Sequence, residues 1–214
     1  MLVLAIHTAG PACDIALCDT TKVLAETHQP MLRGQDASLP GLVADVLRRG
    51  NKHLDQVDRF AVVTGPGSFT GIRVGVAFAR GLALPKGTPC VGVTTLEASL
   101  PSGQQGSALV ALPAQKRPPD VTFWTQTFRT GEATGPAMER CVEDLVEYLD
   151  QRPHNLFGDE TALAPHFTGI RIHPAAPTAR RAAQVALRLD PALRSASPTY
   201  ARAPDAALHS KPPR

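Results

Sequence analysis

Residues 65–75 read Gly-Pro-Gly-Ser-Phe-Thr-Gly-Ile-Arg-Val-Gly and follow the apolar run 59–64. A glycine-rich turn between a strand and a helix is where free backbone N–H groups cradle phosphate. The Walker pattern requires a lysine and a hydroxyl after its last glycine, to reach the terminal phosphates and to hold magnesium. Gly71 is followed here by Ile72 and Arg73, which supply neither. The dinucleotide fingerprint requires G-x-G-x-x-G at the first helix of a parallel unit. The spacing Gly65-x-Gly67-x-x-x-Gly71 is one residue longer and follows the fourth predicted strand. A bare anion site, built from N–H groups near Ser68–Thr70, stays open.

The rest of the chain holds little catalytic material. Its seven histidines (7, 28, 53, 154, 166, 173 and 209) are dispersed, with neither H-E-x-x-H nor H-x-x-x-H spacing. Glu143, Asp144 and Glu147 share one predicted helix as solvated charge. No nucleophile stands beside a base in a recognisable pattern, so a peptidase-like hydrolase has no residues behind it. The four cysteines, Cys13, Cys18, Cys90 and Cys141, lack C-x-x-C spacing and read as reduced, mostly buried thiols, which suits the cytoplasm.

Composition sets the outer limits. The 214 residues, 43% of them hydrophobic, can form one large domain or two small ones around a packed core. A net charge of +3 is too weak to argue nucleic-acid binding. Basic residues come in small groups (Arg48, Arg49 and Lys52; Lys116 and Arg117; Arg180 and Arg181) that read as solvated surface. The opening apolar run ends at His7 without a basic leader, too short for a signal peptide or a membrane span.

Periodicity supplies the elements. Leu2–Ile6 reads as a buried strand, 13–18 alternates as a second, and Lys22–Gln29 makes a third, an antiparallel meander. Helical spacing of Leu39, Leu42, Val43, Val46 and Leu47 predicts a helix from Ser38 to Arg49, with Pro40 in its first turn. Phe60–Thr64 is a strand, 68–84 a helix, and Cys90–Val93 a short strand. The polar stretch 101–107 reads as the join between an N-terminal lobe, 1–100, and a C-terminal lobe, 101–190. Past the join, strands are expected at Ala108–Leu112, Val121–Phe128 and Asn155–Gly158, and helices at Val142–Leu149 and Thr178–Leu189. Arg171–His173 alternates like an edge strand, and the proline-rich tail, 191–214, reads as extended and partly disordered.

The helix over 68–84 is apolar almost all round. Gly71, Gly75 and Ala79 run along one side, flanked by Phe78 and Leu82, while Ile72, Val76 and Ala83 form an adjoining face. Only Arg73 and Arg80 mark a polar edge. Each interior glycine lowers helix propensity by about 1 kcal/mol relative to alanine, so close backbone approach is the compensation to look for. Two readings stand: a central helix of the layer that covers a sheet, or a helix whose Gly71, Gly75, Phe78 and Leu82 meet a second protein.

The segments LVLAIHTAGPACDIALCD, GPGSFTGIRVGVAFARGLAL and VGVTTLEA, with the closing SPTYARAPDA, resemble the bacterial tRNA threonylcarbamoyladenosine biosynthesis protein TsaB (YeaZ) family. The likeness is strong over residues 1–98 and weak over 100–190. It implies an α/β fold of two ribonuclease-H-like lobes, the actin-like, Hsp70 and sugar-kinase ATPase fold. It also implies a scaffold without its own active site, the heterodimeric partner of TsaD. TsaD transfers the threonylcarbamoyl group to the adenosine beside the tRNA anticodon. The ATPase TsaE joins a transient ternary complex, ATP and magnesium sit on the partner proteins, and tRNA is met through the complex.

In that family the N-terminal lobes pair through their helices. The interface this implies here is Gly71, Arg73, Gly75, Phe78, Ala79 and Leu82, with Leu39, Leu42 and Val46 from the neighbouring helix. Arg80 joins Arg73 at the rim. Alone, such an uncovered face is expected to find a second copy of the chain. The sequence departs from the family in two places: His7 stands where the first strand ends in Asp, and the stretch 113–123 replaces an Asp-Ala-Arg-like strand end. Magnesium prefers hard oxygen ligands, which an imidazole does not supply. His7 therefore counts against the alternative reading, a stand-alone ATP-binding phosphotransferase working in the cleft between the lobes.

Overall fold

The computed structural model describes residues 1–115, 121–152 and 155–199, with Gln115 as backbone alone. The tail from residue 200, the pair Lys116 and Arg117, part of the divergent stretch 113–123, and His154 and His209 lie outside the described residues.

Strands β1 (Val3–His7), β2 (Ala12–Cys18) and β3 (Val23–Pro30) form the antiparallel meander. Helix α1 (Gln35–Arg49) leads to β4 (Arg59–Val63), and α2 (Phe69–Ala83) leads to β5 (Cys90–Val93). Strand β4 lies parallel to β1 and β5 parallel to β4, giving the order β3-β2-β1-β4-β5. Every residue of β1 and β2 is buried, so both faces of this sheet are covered. Ile6 pairs with Ile15 and Val62, and Val62 packs under α2 at Gly75, which places that row on the helix α1–α2 side.

Helix α1 begins earlier than Ser38, at Gln35 after the left-handed Gly34, so Pro40 lies inside it. The missing N–H of Pro40 leaves the Asp36 carbonyl without its helical donor. Both residues are exposed, so the helix extends a turn beyond the expected start with that carbonyl on its solvent side.

The second sheet repeats the pattern. Its elements are β6 (Ser107–Gln115), β7 (Thr122–Arg129), β8 (Glu132–Ala133), β9 (Met138–Cys141), α3 (Val142–Gln151), β10 (Asn155–Gly158), α4 (Glu160–Leu163) and β11 (Ile172–Pro174). The order is β11-β10-β6-β7-β8, with β9 also on β7. Strands β6 and β7 are antiparallel, whereas β10 and β11 are parallel to β6, as β4 and β5 are to β1. This doubled ribonuclease-H-like order is the actin-like, Hsp70 and sugar-kinase fold class. Leu109, Phe123, Leu145, Leu149, Leu156 and Leu163 make the core between the second sheet and its helices, and β11 is an edge strand, as Arg171–His173 suggested.

Chain order assigns the last helix to the second lobe, and the structure corrects this. Helix α5 (Ala179–Ala186) packs on the first sheet, its Ala179, Ala182, Ala183 and Ala186 buried in that core. The reason is a row of small residues: Ala5 pairs with both Ala16 and Ala61, leaving a shallow floor for a helix. Register fixes the side. Glu26, across from Ala16, accepts from Arg180 Nε at 2.8 Å, and Arg59, two residues before Ala61, donates to the Leu189 carbonyl at 2.8 Å. Residues 191–199, read as the start of a loose tail, are tied down instead. The Arg194 carbonyl accepts from Gly92, Ser195 bridges to Val91, and Thr199 donates to the Thr64 carbonyl at 2.8 Å.

Candidate functional site

The glycine turn meets the β1–β2 turn backbone to backbone. A Cβ on Gly67 would stand 2.4 Å from the Ala9 carbonyl oxygen, and one on Gly71 2.0 Å from that of Thr8. On Gly75 it would stand 2.3 Å from Thr8 Oγ1. The Thr8 hydroxyl donates to the Gly71 carbonyl at 2.7 Å. At the start of α2 the Ser68 N–H is given to the Ala9 carbonyl at 2.7 Å, and the Gly71 N–H to Ser68 Oγ at 3.2 Å. The chain's own oxygens thus occupy two donors that a bare anion site would need.

His7, at the end of β1, is 3% exposed and sits directly across from Asp14. Burial, assisted by the His28 charge, pushes its pKa down to about 4, so it is neutral at physiological pH. Its Nδ1 faces the Ala9 N–H at 3.4 Å. Asp14 is held 2.6 Å from His28 Nδ1 across the next strand pair. Burial raises the Asp14 carboxyl against the pull of His28. The strand end therefore offers magnesium a neutral imidazole and an already paired carboxylate. Among the described residues no group of three or more His, Cys, Asp or Glu side chains is arranged to hold a metal. Cys13, Cys18 and Cys90 are pushed up to about 11, chiefly by burial, and are inert thiols near neutrality.

Of the interface residues named from sequence, Gly71, Gly75, Ala79, Leu39 and Val46 point into their own lobe. Thr8 and the first sheet already fill the space in front of them, so they cannot form a contact surface. Leu42, Phe78 and Leu82 are half-buried against the same core, and Arg73 is exposed. Arg73 stacks its guanidinium 3.7 Å above the Phe69 ring, one helical turn back. The outward side of α2 is Phe69, Arg73, Ala77, Arg80 and Gly81, continued by Leu84 just past its end. The sequence reading missed Ala77 and Gly81. Their signal was present: they follow Arg73 at four-residue spacing, on the polar edge rather than the glycine edge.

The segment that holds α1 and α2 also matches a protein-family model. The family model for TsaD, tRNA N6-adenosine threonylcarbamoyltransferase, matches residues 32–116. The Escherichia coli tRNA threonylcarbamoyladenosine biosynthesis protein TsaB is 40% identical over 96 residues, 45% of this chain and 41% of that protein. Its Bacillus subtilis counterpart is 27% identical over 167 residues, 76% of this chain and 73% of that protein. The chain is thus similar in sequence to TsaB proteins. The fold of the whole is shared with a solved structure: that of YeaZ from Pseudomonas aeruginosa superimposes with a TM-score of 0.70 at 22% identity, covering 93% of this chain and 99% of that one. The alignment with E. coli TsaB spans under half of that protein's length. Among the described residues no helix is long and apolar enough to cross a membrane.

Proposed function

We propose that this chain is a non-catalytic scaffold for a TsaD-type transferase in threonylcarbamoyladenosine modification of tRNA, docking through the outward side of α2. The observation that carries the reading is that side itself. Ala77 and Gly81 leave a low strip along the helix, between Phe69 with Arg73 at one end and Leu84 at the other. Small residues at four-residue spacing let a second helix approach closely, and an aromatic with a stacked arginine is the usual anchor at a protein interface. ATP and magnesium belong on the partner proteins in this reading. The buried neutral His7 and the donors spent on Thr8 and Ala9 support that assignment and weigh against a stand-alone phosphotransferase.

The test is light scattering after gel filtration, with the chain alone and mixed with the TsaD-type protein of the same organism. Phe78 is half-buried in its own core, so Ala77→Glu probes the surface better. The expected result is an equimolar complex for the natural chain, weakened roughly thirtyfold, or about 2 kcal/mol, by Ala77→Glu. Glu132→Ala, in the second sheet, leaves it intact. A complex indifferent to Ala77→Glu, with circular dichroism showing both chains folded, refutes docking through α2.

A further inference from the structure

Among the described residues, Arg59, Arg180, Arg181 and Arg194 are drawn into the interior or the junctions of the chain, and three of them have a visible reason. Arg59 donates to the Ala186 and Leu189 carbonyls at the end of α5. Arg180 pairs with Glu26, and Arg194 with the buried Glu97 at 2.8 Å. Arg181 has no such answer. It is 7% exposed, and among the described residues no carboxylate lies within ion-pair distance of it. Its Nη1 donates to Ser102 Oγ at 2.8 Å and, more distantly, to Gln184 Oε1 at 3.4 Å. Its Nε is buried without a partner, as is that of Arg59, but Arg181 Nη2 also makes no hydrogen bond among the described residues.

The charge that bears on Arg181 is a like one. Burial and the neighbouring Arg188 push its guanidinium down to about 10, still protonated at neutral pH. Arg188 lies seven residues on, in the turn just past the end of α5, and is exposed. Its Nη1 reaches over the β7–β8 turn, 4.0 Å from where a Cβ of Gly131 would stand. Both side chains therefore reach the place where the end of α5, the 101–107 connection and the β7–β8 turn come together, Arg181 at Ser102 and Arg188 at Gly131, whose Cβ would stand 3.9 Å from the Gln104 carbonyl oxygen. Holding a desolvated cation beside a second cation costs free energy, and an anion that completes the group relieves that cost.

We propose that Arg181 and Arg188 form a binding site for a phosphate-class oxyanion at the junction of the two sheets, supplied by a free phosphoryl compound or by the backbone of an RNA. Ser102 also donates to Gln184 Oε1 at 2.5 Å, so the pair fixes the Nη1 side of Arg181 and leaves Nη2 to the ligand. A single carboxylate saturates one guanidinium and leaves the second uncompensated. A phosphate carries enough charge and enough oxygens for both. The site does not depend on the docking role of α2.

The test follows the thermal unfolding of the full chain with inorganic phosphate, against chloride at matched ionic strength. Phosphate is expected to raise the midpoint by several degrees beyond chloride. Arg188→Gln, an exposed change that leaves folding intact, should lose at least half of that response, and Arg181→Met all of it. A natural chain that responds equally to the two salts overturns the proposal, as does a phosphate response that survives in Arg188→Gln. Labelled tRNA at fixed salt then identifies the source. A several-fold loss of tRNA affinity in Arg188→Gln, with phosphate competing, supports the site with RNA as its ligand. Unchanged tRNA affinity beside a lost phosphate response supports it with a free phosphoryl compound.

Discussion

Gly71 and Gly81 lie on one helix and should respond oppositely to the same substitution. Alanine is the better helix former by about 1 kcal/mol. At Gly81 nothing stands within 4 Å of the new Cβ, so Gly81→Ala should stabilise the chain by up to about 1 kcal/mol. At Gly71 the Cβ would come to 2.0 Å from the Thr8 carbonyl oxygen, a backbone atom that cannot swing aside. Gly71→Ala should therefore destabilise by about 2–3 kcal/mol, the overpacking cost exceeding the propensity gain. Urea denaturation of both variants checks the contrast. His7 makes a prediction in pH. The unfolded chain takes up this proton near pH 6.5, whereas the folded chain refuses it until about 4. Above that window both states are neutral and His7 adds no slope; as pH falls through it, the unfolded state gains a proton that the native state lacks, and stability declines. The decline amounts to about 3 kcal/mol at most and should flatten in His7→Gln, measured by urea midpoints across the window.

Among the elements, α5 carries the sharpest expectation. It rests on the small floor of Ala5, Ala16 and Ala61, all fully buried. Ala61→Leu should lift the helix and cost about 2–3 kcal/mol, loosening the Arg59 caps at its end, seen as lost amide protection through 179–186 in hydrogen exchange. The same alanines explain what the sequence did and did not reveal. Leu39, Val43, Val46 and Leu47 state their period plainly, and β1 and β2 read directly as buried runs, because large apolar side chains declare a face. Alanine declares none, so nothing local to 178–189 tells which sheet it covers. Strand β8 has only two residues, and β9 carries Glu139 and Arg140 with no fully buried side chain to declare a face. Of the candidate interface, Arg73 lies on the outward side of α2 and the glycine edge does not. Small residues on the glycine edge of α2 permit close approach without saying to what, and what approaches Gly71 and Gly75 is Thr8 of the same chain.

At the scale of the molecule, the second sheet is inserted within the first lobe, between β5 and α5. The first lobe is therefore incomplete in residues 1–100, which lack the helix for one face of the sheet. That fragment alone should show no cooperative thermal transition. A synthetic peptide covering 175–199, which brings α5 and the 191–199 segment together, should restore one. A cooperative fragment without the peptide would show that α1 and α2 suffice. The insertion also has a consequence in time. Ribosomes extend a chain at about 5–20 residues per second, so the alanine floor, finished once β5 emerges, stays uncovered for roughly 5–20 s until α5 follows. Through that interval the nascent chain displays a flat, apolar sheet face with nothing of its own to lay on it, the kind of surface that holdase chaperones bind. Shortening the inserted lobe would shorten that exposure and, with it, the dependence of this chain on assisted folding.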